Sequence, residues 1–164
     1  MKKIISLLFV LLFLAPFCAN MEQPVNIISV DAFVQRYNEF IVGFYAAFKQ
    51  KVAPVEAAIT ETEGIIWFML DLPNGSIEGK AVDGQVIEVD VLAADAAGSI
   101  YIMGATAAVS SLQSALDVMD PGKQVKYIQQ TSDPDIAATN GYAIEIVERF
   151  KSGEAKHVII TLLP

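Results

Sequence analysis

Residues 65–92 read IIWFMLDLPNGSIEGKAVDGQVIEVDVL, and this stretch decides the fold. Its first six residues form a continuous apolar run rich in β-branched and aromatic side chains. A run of that length and composition predicts a central strand covered on both faces. Pro73-Asn74-Gly75-Ser76 is a turn signal and Asp83-Gly84 a second, since such residues supply the backbone angles that reverse a chain. Between them 77–82 predicts a weak strand, interrupted by Gly79, with an exposed edge to which a partner strand could add. After them 85–92 predicts a strong one, where Ile87, Val89 and Val91 alternate with Glu88 and Asp90. Asp95-Ala96-Ala97-Gly98 is a third turn, leading into a further strand over 100–103. The sum is an antiparallel meander of three or four strands.

Upstream of the meander the period changes. Val30, Phe33, Val34, Tyr37, Phe40, Ile41, Phe44 and Phe48 recur at helical spacing, with Gln35, Arg36, Asn38 and Glu39 opposite them. Ser29 or Asp31 can cap this helix. Pro54 disfavours a helical residue before it, so the helix is expected to end near Lys51. The segment 54–62 fits either a short helix or an extended strand. Downstream, Val109, Leu112, Ala115, Leu116 and Met119 are again helical in spacing, and Asp120-Pro121-Gly122 stops them. A shorter helix over 123–130 and a polar loop over 131–140 lead to two strands, 142–150 and 156–163, joined as a hairpin. This order predicts an α+β domain. Its antiparallel sheet has five or six strands, covered on one face by the long aromatic helix and one or two further helices.

The N-terminus has its own logic. Lys2 and Lys3 precede an apolar segment over 4–14, Pro16 breaks any helix, and small residues follow. That is the pattern of a secretory signal peptide over residues 1–19, leaving 20–164 as one domain. The apolar stretch is shorter than the roughly 20 residues a membrane span needs, so no transmembrane anchor is expected after cleavage. Phe17 stands where lipidation of Cys18 would want a small residue, which argues against a lipoprotein. The expected location is periplasmic or secreted.

Cleavage would remove the chain's one cysteine, leaving a domain without disulfides, thiol catalysis or Cys-based zinc sites. It would also leave nine basic against 19 acidic residues. Such a charge repels phosphate backbones and disfavours nucleic acid.

The reactive side chains are sparse. His157 is the one histidine, so a catalytic triad or an imidazole metal site would have to be built on it. Glu88 and Asp90 share a strand face with Cα atoms about 6.6 Å apart, a spacing suited to acid–base hydrolysis. They are equally what the solvent face of a half-buried strand carries. Asp133 and Asp135, with Thr131, Ser132 and Asn140, offer oxygen ligands without EF-hand spacing. Gly104-Ala105-Thr106 lies where a strand-to-helix turn could hold an anion.

The aromatic stripe is first a helix's core face, but Ile41 and Tyr45 widen it beyond that need. The expectation is therefore a non-enzymatic exported domain with no cofactor and no metal. It would bind a protein or peptide of the cell envelope, or an apolar small molecule, through Tyr37, Phe40, Phe44, Tyr45 and Tyr101. The alternatives are a hydrolase using Glu88, Asp90 or Asp71, and a structural envelope component.

Overall fold

A computed structural model describes residues 28–110, 112–120, 127–128 and 141–163. Residues 1–19, expected to be a signal peptide, and the oxygen-rich loop with Asp133 and Asp135 lie outside the described residues.

Helix α1 (Val30–Ala47) starts where Ser29 Oγ accepts the Ala32 N–H at 3.2 Å, satisfying one of the free donors of the first turn. It stops four residues before Lys51. Lys49 turns left-handed at φ 56°, and the Gln50 N–H returns to the Tyr45 carbonyl at 3.0 Å. No glycine announces this end, so the sequence carried no sign of it. The segment after it is extended. The Asn38 side chain clamps it by donating to the Val55 carbonyl at 2.8 Å and accepting the Val55 N–H at 2.9 Å.

Four strands follow: β1 (Ala58–Thr62), β2 (Ile65–Leu72), β3 (Gly75–Val82) and β4 (Gln85–Ala93). Glu63-Gly64 and Asp83-Gly84 both have two successive positive φ angles, the mirror-image turn whose twist suits a two-residue hairpin. A 3₁₀ turn, Ala96–Gly98, is capped by Asp95 and opens helix α2 (Ser99–Val109). Helix α3 (Leu112–Met119), the two-residue β5 (Tyr127–Ile128), β6 (Tyr142–Arg149) and β7 (Ala155–Leu162) complete the order.

All seven strands form one antiparallel sheet in the order β1-β2-β3-β4-β7-β6-β5. Six are full strands and β5 is a short extension at one edge. The fold is α+β, with the meander, the C-terminal hairpin and the N-terminal helix where the sequence predicts them.

One face of the sheet carries Phe68, Leu70, Ile77, Ala81, Val89, Val91, Val158 and Ile160, all buried in one core with α1 and α2. Each large side chain sealed there contributes roughly 1.5–3 kcal/mol. Phe33 of α1 meets Phe68 of β2 with ring centroids 5.5 Å apart. Helix α2 lies over β4 and β7, and every one of its eleven residues is buried. Gly104 lets α1 come close, since a Cβ there would sit 2.9 Å from the Tyr37 ring.

Several expectations need correction. Residues 100–103 belong to α2, not to a strand. A helix buried all round has no polar face, so its apolar run looks like a strand. Gly104-Ala105-Thr106 is mid-helix and buried, so it is no anion-binding turn. The helix expected to run from there to Met119 breaks at Ser110, whose φ of −141° is not helical. Tyr127 and Ile128, expected in a helix, pair with β6. Strand β3 is no edge, because β2 and β4 flank it. Finally, β2 is covered on one face only: Trp67 and Met69 are each 44% exposed.

Candidate functional site

The five aromatic residues singled out in the sequence sit in and around the contact of α1 with α2. Tyr37, Phe40 and Tyr101 are buried, while Phe44 and Tyr45 are half-buried. Phe40, Phe44 and Phe48 run along α1 with successive centroids 6.4 and 5.2 Å apart. Tyr37, Tyr45 and Tyr101 are close enough to interact electrically. Burial first, then the Tyr101 and Tyr45 phenols, pushes the Tyr37 phenol far above its ordinary value. Burial and Tyr45 also raise Tyr101. Tyr37, Phe40 and Tyr101 fill the core, while Phe44 and Tyr45 lie at its margin and Phe48, just past the end of α1, is 48% exposed.

Two hydroxyls in this layer, Tyr37 Oη and Thr106 Oγ1, are buried without a hydrogen-bond partner. An unmade buried hydrogen bond costs about 1–3 kcal/mol. Tyr37→Phe is therefore expected to raise unfolding stability by about 1 kcal/mol. Tyr142→Phe is expected to do the opposite by a similar amount, because Tyr142 Oη donates to the buried Val86 carbonyl at 2.8 Å. Burial also pushes that phenol up to about 12. Urea unfolding of the two variants checks the opposite signs.

The other face of the sheet differs. Register sets its side chains in rows across the strands. One row runs Thr60, Trp67, Lys80, Glu88, Thr161; the next runs Ala58, Met69, Glu78, Asp90, Ile159. Lys80 and Glu88 share a face only because β4 carries an irregularity there. Lys80 pairs with Glu88 but Ala81 pairs with Val86, so Ile87 is the extra residue and Val86 takes the core position.

Within these rows the charges are arranged in pairs. Lys80 Nζ lies 5.0 Å from the centre of the Trp67 ring and donates to Glu88 Oε1 at 2.6 Å. His157 Nε2 and Asp90 Oδ1 are 2.9 Å apart. Glu78 stands on β3 directly opposite Asp90. Ala58, Thr60, Trp67, Met69, Glu78 and Asp90 help line an open groove of about 420 Å³. No group of residues suited to a metal occurs among the described residues.

Glu88, Asp90 and His157 are thus brought together, on the solvent-facing side that their alternation predicts. Asp71 is exposed on the same strand as Trp67 and outside the groove's lining. Trp67 and Met69 are what the sequence reading missed. The missing signal was register: the tight turn at Pro73-Asn74 puts Trp67 opposite Lys80, and a lysine does not face a sealed core.

Comparison with protein-family models, with curated proteins and with solved structures finds no match for this chain.

Proposed function

We propose that the chain is an exported, non-enzymatic binding domain whose uncovered sheet face receives a basic, partly apolar segment of a protein partner. One observation carries this reading: Trp67 and Met69 stand exposed in a groove among the carboxylates of Glu78, Glu88 and Asp90. Aromatic and methionine side chains supply contact area, and Glu78, which lies outside the Lys80–Glu88 and His157–Asp90 contacts, favours a cation. The formal net charge of −8 extends that preference to long range. On this reading the site lies on the side of the sheet opposite the aromatic helix, whose Phe33, Tyr37 and Phe40 are buried in the core.

Both carboxylates named for hydrolysis already have a side-chain partner, Glu88 in the Lys80 ammonium and Asp90 in the His157 ring. Export itself rests on residues 1–19, and N-terminal sequencing of the chain from envelope extracts tests it.

Trp67 is the chain's single tryptophan, so its emission reports on the groove directly. Titration with a peptide alternating lysine or arginine with valine or leucine is expected to shift that emission. Glu78→Gln is expected to weaken binding about tenfold by that emission, and Trp67→Ala, which removes the fluorophore, by about as much in calorimetric titration, the size of a modest hot spot. An equal response to a glutamate-containing peptide, or no response at all, would defeat the proposal.

A further inference from the structure

We infer, resting on the binding role just proposed, that the partner segment docks as an additional β-strand on the free edge of β1. Strand β1 ends the sheet, and all five of its residues are exposed, Ile59 to 54%. Its outer row of backbone N–H and C=O groups therefore faces solvent. Edges in stable sheets are usually blunted by lysine, proline or a bulge. The sequence Ala58-Ile59-Thr60-Glu61-Thr62 has neither lysine nor proline, its register with β2 is unbroken, and its one charged residue, Glu61, would repel an acidic strand while admitting a basic one. At the opposite side, among the described residues, β5 pairs with Ala143 and Ile144 alone, and no strand neighbour is described beyond them on that side of β6.

What singles out β1 is that a groove lies on each side of it. Ala58 and Thr60 project to the open face and border the groove of Trp67, Met69 and Glu78. Ile59 projects the other way. It borders a second groove, about 450 Å³, between α1 and the extended segment that Asn38 clamps, lined by Val34, Val55, Ala57, Asp31 and Glu56 among others. Side chains of an added strand alternate between the faces of a sheet at this spacing. One set would meet the valines and Ile59, the other would point toward Trp67 and Glu78. Main-chain pairing with alternate side chains in pockets is the usual logic of strand addition.

Charge selects the occupant. Asp31, Glu56, Glu61 and Glu63 surround the edge on its helix side and at its end, and Glu78 stands on the other. A second copy of this acidic chain would bring those carboxylates against their own kind. An extended segment alternating apolar with basic residues meets none of that repulsion.

Hydrogen exchange of the whole protein, with and without the alternating basic peptide pool, tests this together with Trp67 emission. Expected is about tenfold slower exchange of the 58–62 amides, accompanied by the emission shift. An emission shift without protection of those amides would overturn strand addition and leave groove binding standing. Protection without an emission shift would keep strand addition and remove the open-face groove from the site. With neither response, both proposals fall. Protection that grows with protein concentration in the absence of peptide would assign the edge to a second copy and overturn the inference.

Discussion

Gly79→Ala is expected to lower stability by about 2 kcal/mol in the natural sequence and to cost almost nothing further once Phe68 is alanine. A glycine inside a strand is ordinarily a weakness, worth roughly 0.5–1 kcal/mol against alanine. Here the sign reverses. A Cβ at position 79 would lie 2.1 Å from Phe68 Cζ, and two further ring atoms would be within 2.8 Å. The ring cannot simply swing aside, because Phe68 is buried and packed on Phe33. Phe68→Ala alone should cost about 3–5 kcal/mol, as truncations of buried phenylalanine do. Denaturant unfolding of the two single variants and the double variant closes the cycle. Strictly additive losses would show that the ring does not hold position 79 to glycine.

Ile102→Ala carries the second large effect, a loss of about 3 kcal/mol. Ile102 is fully buried in α2, the helix enclosed by α1, α3 and the sheet. Neighbours on several sides leave little room for the cavity to collapse, and cavities that persist cost most. Val147→Ala is the control. That side chain is half exposed on β6, so its truncation should stay within about 0.5 kcal/mol. A loss at Ile102 no larger than at Val147 would mean that α2 packs loosely, against its complete burial.

The sequence was readable wherever one side of an element meets water. The polar face of α1, with Gln35 and Glu39 opposite Phe33 and Tyr37, announced a helix. The alternation of Glu88 and Asp90 with Val89 and Val91 announced a half-buried strand. Glycine-containing turns at 83–84 and near 153 marked hairpins, because only a few residues tolerate positive φ. What misled was uniform apolarity. Residues 100–109 are apolar because everything around α2 is protein, and no period survives. Residues 65–70 are apolar although Trp67 and Met69 face outward. The same composition therefore arose from two opposite causes, complete burial and an uncovered apolar face. The candidate site fell in the second class, and only pairing with Lys80 and Glu78 on β3 separates the two.

The place of β7 in the sheet has a consequence for how the chain comes into being. It joins β4 at the middle of the sheet, pairing residues 88–92 with 157–161. Until those final residues have left the ribosome, β4 has no second neighbour and the floor beneath α2 is missing. Closure across so long a stretch of chain is slow and comes late. A nascent polypeptide built this way stays open at the middle of its sheet until residues 157–161 have been made. Late closure of that kind is compatible with the export proposed above, in which the chain would be threaded through a membrane channel before it folds.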